Sequence, residues 1–79
     1  MVNFVYIVRC ADGTLYTGWT NNLDERIIAH NAGKGAKYTR SRLPVALVHS
    51  EIFEDKSSAM KRELEIKNMT KTQKERLFE

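Results

Sequence analysis

Seventy-nine residues, 42% hydrophobic and 29% charged, set the expectation of one small globular domain, 1–79, and exclude a disordered or fibrous chain. The formal net charge of +3 leans toward a polyanionic partner without identifying one. A single cysteine, Cys10, excludes an internal disulfide and a Cys-based zinc cage, which suits a reducing compartment.

In chain order, "FVYIVRC" is β-branched and aromatic and reads as a strand. "ADGT" is a turn in which Gly13 can take a positive φ. "LYTGW" is the returning strand of a hairpin. "NLDERIIAHNAGKG" reads as a helix with Asn22 as N-cap and Glu25 as the capping partner. Leu23, Ile27 and Ile28 supply its apolar stripe, and Gly33 or Gly35 ends it. "AKYTRSR" makes one loose helical turn. "PVALVHSEIF" is a third strand with Pro44 at its start. Asp55 caps a helix over about Lys56 to Asn68, and Thr70 with Gln73 opens a last helix running to the C-terminus. The order is β-β-α-β-α-α: an α+β fold with a small three-stranded sheet flanked by helices.

The hairpin register decides which side chains meet. A two-residue Asp12–Gly13 turn pairs Cys10 with Leu15 and puts Tyr6 and Tyr16 on opposite faces. A three-residue Ala11–Gly13 loop pairs Cys10 with Thr14 instead. Tyr6, Val8, Cys10, Thr14, Tyr16 and Gly18 then share one face, with Val5, Ile7, Leu15 and Thr17 on the other. The second register is the one expected; it gathers two phenols and a bare glycine on one surface.

Charge is uneven along the chain. Between Asn31 and Ser50 lie Lys34, Lys37, Arg40 and Arg42, with no acidic residue among them. Tyr38 sits inside this run and Gly33 and Gly35 loosen it, a composition suited to a phosphate backbone and equally to a solvated loop. No apolar run approaches the roughly 20 residues of a membrane helix. Arg9 breaks the first apolar run too early for a signal peptide, so a cytoplasmic location with no membrane partner is expected.

The ordered set "FVY", "YTG", "TNNLDER…H" and "KRELEIK" resembles the GIY-YIG nuclease superfamily, and most of all its small stand-alone bacterial members. The likeness runs from Phe4 to about Leu77. Phe4 and Thr17 differ from the residues that name the two motifs, and Trp19 stands where some members have a lysine. The resemblance implies phosphodiester hydrolysis of nucleic acid, DNA in the first instance, with one divalent ion, Mg²⁺ or Mn²⁺. It implies Glu63 as metal ligand, Arg26 as phosphate clamp, and Tyr6 as general base or part of it. It implies Tyr16 as the residue orienting water or phosphate, and His30 as a proton relay. Lys34, Lys37, Tyr38, Arg40 and Arg42 are the expected nucleic-acid contacts. Gly18 provides clearance and Asn22 caps the helix that carries Arg26.

Chemistry supports those roles in part. Mg²⁺ keeps most of its waters, so one carboxylate is adequate. Arg26 and His30, four apart, lie on one helix face. A free tyrosine titrates at about 10, so Tyr6 needs a nearby cation to favour its phenolate; His30, at about 6.5, is the better base by titration alone. Glu65 projects about 200° round the helix from Glu63 and cannot share its site. Glu63 lies beside a stripe expected from Met60 and Leu64 facing the sheet.

Each residue alone has an ordinary explanation. Two strand tyrosines can be core, and a Glu63–Lys67 pair can be a surface ion pair. Cys10 reads as a small buried hydrophobe and Trp19 as partly buried. Two other readings use the same residues: a weakly active or inactive nucleic-acid-binding module, or a protein adaptor docking through the last helix. A protein partner supplying targeting, and a monomer or weak homo-oligomer, are expected.

Overall fold

The computed structural model describes residues 2–79. Strand β1 (Asn3–Arg9) lies at the centre of an antiparallel sheet, between β2 (Leu15–Thr20) and β3 (Ala46–Phe53). A strand paired on both sides and covered on both faces needs apolar residues at every position. Val5, Tyr6, Ile7 and Val8 meet that demand and are all buried.

The hairpin takes the three-residue loop. Cys10 N–H donates to Thr14 O at 2.8 Å and Gly13 adopts φ +85°, a conformation that a side chain disfavours. Tyr6 therefore faces Gly18 and Val8 faces Tyr16 across the β1–β2 ladder. On the other side of β1 the ladder slips between Ile7 and Val8, opposite His49 and Leu47.

Helix α1 (Leu23–Asn31) covers the Tyr6 face of the sheet together with α2 (Lys37–Arg40), the loose turn expected from "AKYTRSR". Their core joins Tyr6, Val8, Cys10 and Val45 with Tyr16, Leu23, Ile27 and Leu43. Asn22 accepts the Glu25 N–H at 3.2 Å as N-cap. The reciprocal bond expected from the Glu25 side chain is absent; the Asn22 N–H goes to Thr20 Oγ1 at 3.1 Å, which is nearer in the chain and already held in place. At the other end, Lys34 N–H reaches Ala29 O and Gly33 N–H reaches His30 O, with Gly33 at φ +78°. That double closure ends the helix at Gly33, not Gly35. Ile28, expected in the stripe, is 69% exposed. Leu23 and Ile27 already lie on the sheet side, and Ile28 falls beyond the arc they cover.

Helix α3 (Lys56–Lys67) covers the opposite face, and α4 (Lys71–Glu75) follows it with none of its residues in the core. Asp55 caps α3 through Ser58 N–H at 2.7 Å, and Thr70 and Gln73 form a complete capping box on α4. The last helix is one short stretch and does not run to the C-terminus. Leu77 and Phe78 leave it to pack on the core of Val5, Ile7, Ala59 and Ile66. The strand that follows the basic run starts at Ala46; Pro44 and Val45 precede it. Asn31 spans that approach, accepting Val45 N–H at 2.7 Å and donating to Val45 O at 3.1 Å.

The orientation of α3 differs from the sequence expectation. Ala59 and Ile66 face the sheet, while Met60 and Leu64 are 49% and 61% exposed. Positions 59, 63 and 66 lie on one helix face, so Glu63 is carried inward between them. The small Ala59 lets the helix close on the sheet, and Trp19, Phe53 and Met69 fill the space beside it. No helix among the described residues is long and apolar enough to cross a membrane.

Candidate active site

Five elements bring the expected residues together. Strand β1 supplies Tyr6 and β2 supplies Tyr16 and Gly18. Helix α1 supplies Arg26 and His30, and α2 supplies Tyr38. Helix α3 brings Glu63 from the other side of the sheet, packed against β1 and β2.

The Tyr6 ring lies across Gly18. A Cβ at that position would sit 2.5 Å from Tyr6 Oη and 2.6 Å from Cζ, so no side chain fits while the phenol keeps its place. Tyr6 Oη is 2.7 Å from His30 Nε2, and Arg26 Nε–H donates to the same oxygen at 3.2 Å. Behind the imidazole, His30 Nδ1 is 2.8 Å from Thr39 Oγ1, whose hydroxyl donates to Ala36 O at 3.0 Å.

One assignment of protons satisfies this chain. Thr39 gives its proton to the Ala36 carbonyl, Nδ1–H gives to Thr39, and the bare Nε2 accepts from the Tyr6 hydroxyl. The opposite tautomer would use a weak 3.4 Å contact from Ala36 N–H to Nδ1. It would also aim two donors, Arg26 and Nε2–H, at Tyr6 Oη and leave the buried phenol proton without an acceptor. The Nδ1–H tautomer is therefore the one the packing selects.

Electrostatics agree with a neutral pair. Burial pushes the His30 imidazole below its usual titration range, and the Arg26 charge adds to that. Burial raises the Tyr6 phenol, against the hydrogen bond and charge of Arg26; the charges of Tyr16 and Glu63 raise it further. Tyr6 needs a nearby cation to favour its phenolate, and Arg26 alone does not supply enough, because desolvation outweighs one guanidinium. His30 and Tyr6 are both fully buried, and the Tyr6 hydroxyl is the group that His30 Nε2 contacts. Arg26 is held above the ordinary arginine range, chiefly by the Tyr6 hydroxyl and also by Tyr16.

Tyr16 closes the group on its outer side. Its ring meets His30 edge-on at 5.5 Å and stacks on Tyr38 at 5.9 Å. Tyr16, Arg26 and Glu63 are only partly buried and form the accessible rim. The Glu63 side chain is 19% exposed and pairs with Lys67 Nζ at 3.3 Å. Its charge adds to the upward push on the Tyr6 phenol.

The basic residues divide. Lys34, Lys37 and Arg40 are exposed, and among the described residues none has a carboxylate partner. Arg42 is engaged inside the protein: Nε donates to Asp12 Oδ2 at 3.1 Å, Nη1 donates to Tyr38 O at 2.7 Å, and the guanidinium lies 4.0 Å from the Tyr38 ring centroid. Its first effect is to tie Tyr38 to the hairpin loop. Trp19 points to the α3 face, away from the phenols, with Lys56 over its ring.

Neither Thr39 nor Gly35 was expected in the site; Gly35 was expected only as a possible helix end and a loosening of the basic run. Thr39 is fully buried and fixes the imidazole. A Cβ on Gly35 would collide with His30 Nδ1 and come within 2.8 Å of its Cα. The only available signal was a second glycine where one suffices to end a helix; Thr39 gave none, because its role depends on a contact nine residues away.

Among the described residues no three His, Cys, Asp or Glu cluster as a metal cage. One inward carboxylate beside a partly open rim suits a hard dication that keeps its waters, such as Mg²⁺, and does not suit zinc.

Comparison with known proteins agrees with the geometry. The family model described as the GIY-YIG catalytic domain matches residues 2–76. A UPF0213 protein of Natronomonas pharaonis is 57% identical over 75 residues, covering 95% of this chain and 88% of that one. A UPF0213 protein of Clostridium perfringens is 59% identical over 77 residues, covering 98% and 83%. The solution NMR structure of a UPF0213 protein from Bacillus halodurans aligns with TM-score 0.63 at 48% identity, over 98% of this chain and 82% of that one. That of a protein from E. faecalis aligns with TM-score 0.64 at 39% identity, over 98% and 83%. The phenol pair, the glycine opposite Tyr6 and the inward glutamate are thus set in a chain that belongs to the GIY-YIG family, whose members are generally endonucleases that act on nucleic acid and typically use a divalent metal.

Proposed function

We propose that the protein hydrolyses phosphodiester bonds in nucleic acid, DNA in the first instance, with Glu63 holding one Mg²⁺ or Mn²⁺. The observation that carries this reading is the directed chain from Arg26 through Tyr6 and His30 to Thr39, with the charge of Glu63 felt at the Tyr6 phenol. When bound, the ion supplies charge stabilisation at the phosphate and at the departing oxygen.

Arg26 binds Tyr6 through Nε, and its terminal nitrogens are suited to a bidentate grip on the phosphate. The water oxygen attacks phosphorus and the bond to the leaving sugar oxygen breaks. The water proton passes to Tyr6 Oη as the Tyr6 proton moves to His30 Nε2, leaving an imidazolium that Thr39 steadies through Nδ1–H. The departing oxygen takes its proton from solvent. Tyr6 is closed off in the free protein, so this route requires Arg26 and Tyr16 to shift when phosphate arrives. Lys34, Lys37 and Arg40 then hold the flanking backbone, and Tyr38, fixed between Tyr16 and Arg42, presents the exposed rim of its ring beside them.

The test is cleavage of labelled DNA by the full chain with Mg²⁺ and after metal removal. Glu63→Gln and Arg26→Ala each lower the rate by about 100-fold or more, with amide NMR spectra unchanged elsewhere. A metal-purged preparation that cuts as fast as the loaded one overturns the reading.

The full burial of Tyr6 favours one second reading, a module that binds nucleic acid without cutting it. In that case affinity falls steeply with salt and Glu63→Gln leaves it unchanged or raised, with no cleavage in any metal.

A further inference from the structure

At the end of the hairpin, against α4, lies an open cavity of about 230 Å³. Thr14 and Leu15 line it from the end of the hairpin, Tyr38 from α2, Met69 from the turn after α3, and Lys71 and Lys74 from α4. Leu15 and Met69 also pack on the Val5–Ile66 core, which fixes the apolar part of the wall. Tyr38 stacks on Tyr16, so the cavity stands one ring away from the candidate active site.

Its two ammonium groups have no counter-charge. Among the described residues, every ion pair involves other side chains. Lys74 is half-buried, and burial together with the charge of Lys67 pushes its ammonium below the usual lysine range. A desolvated cation next to like charges is unfavourable, and an anion placed between the lysines relieves it. The rest of the lining suits something other than a bare anion: two apolar side chains and an aromatic ring. Its volume lies below the ~300 Å³ at which drug-sized sites begin, which fits one unit of a strand.

We propose that this cavity is a nucleotide subsite, holding one nucleotide of the strand next to the bond being cut. The phosphate rests on the Lys71 and Lys74 ammoniums, and the base or sugar lies against Leu15, Met69 and the Tyr38 ring. A site of this composition recognises a phosphate joined to a flat, partly apolar body, which is the chemistry of a nucleotide. The assignment rests on the nucleic-acid reading above. It also gives α4 a function, by bringing two lysines to the edge of β2.

Thymidine 3′,5′-bisphosphate is the probe, added to the full chain without metal and followed by NMR. Saturable shifts at Leu15, Tyr38, Met69 and Lys74 are expected. Lys71→Gln, at an exposed position, weakens binding about tenfold, and adding Lys74→Gln weakens it further. Lys61→Gln removes the same charge from α3 away from the cavity and leaves affinity unchanged. Equal weakening by Lys61→Gln, or shifts that avoid the cavity, overturns the subsite even if the protein cuts DNA. Inorganic phosphate binding as tightly as the bisphosphate reduces the cavity to an anion site and also overturns it. Bisphosphate bound in the cavity of a protein that cuts nothing supports the subsite and counts against hydrolysis.

Discussion

Tyr6 and His30 share a 2.7 Å hydrogen bond, and neither side chain reaches solvent. Burial and Arg26 hold the imidazole neutral and lower its pKa in the folded chain. The sign of the pH dependence follows. Above the unfolded value of about 6.5 both states carry a neutral histidine and the full stability is present. As pH falls from there through the folded pKa, the unfolded state takes up the proton first and stability is lost. Urea midpoints at about pH 7.5 and about pH 5.5 should therefore differ less in His30→Gln than in the native chain. His49, bonded to Glu51, is common to both proteins, so the difference isolates His30.

Gly18→Ala should destabilise by about 2 kcal/mol, since its methyl group overlaps the Tyr6 hydroxyl. In a Tyr6→Phe background the nearest clash, Oη, is gone, so the penalty shrinks. Urea denaturation of the four proteins measures this. Equal penalties in both backgrounds would mean that the ring carbons Cζ and Cε2, 2.6 and 3.0 Å from the added methyl, and not the hydroxyl, resist the alanine.

Thr39→Val keeps the shape of the side chain and removes the acceptor for His30 Nδ1–H. Cleavage should fall by about 10- to 100-fold, the usual range for a residue that orients another. The imidazole ¹⁵N shifts carry the diagnostic readout. The native chain should show a protonated Nδ1 and a bare Nε2, and the variant a mixture of tautomers. An unchanged ¹⁵N pattern would remove Thr39 from the relay.

Thr17 Oγ1 is buried with no partner. Thr17→Val deletes that unsatisfied hydroxyl and should raise stability by about 1 kcal/mol, read as a higher urea midpoint with an unchanged slope. A lower midpoint would show that the hydroxyl has a partner in solution.

Local chemistry made much of this legible in the sequence. Gly13 in a three-residue loop sets the hairpin register, and that register places Tyr6, Tyr16 and Gly18 on one face. Asn22, Asp55 and Thr70 announce their helices through side chains that reach only three residues along. Arg26 and His30 share a face by spacing alone. What escaped depends on contacts distant in the chain. Nothing near Thr39 says that a histidine nine residues earlier will need its hydroxyl. Gly35 reads as a helix terminator because its neighbour in space, His30, is not visible from its neighbours in sequence. The apolar residues of α3 mislead outright: Met60 and Leu64 suggest a buried stripe, yet the helix turns them to water.

That inverted helix separates durability from activity. Of the positions on the inner face of α3, Ala59 and Ile66 serve the fold, while Glu63 puts a mostly buried carboxylate there, paired with Lys67. Selection for heat resistance alone would favour filling that place with hydrocarbon and would leave a sturdier protein without its carboxylate. Under the proposed mechanism, a library ranked by melting temperature alone would enrich variants that have lost the proposed metal ligand, and only an activity screen run alongside would reveal it.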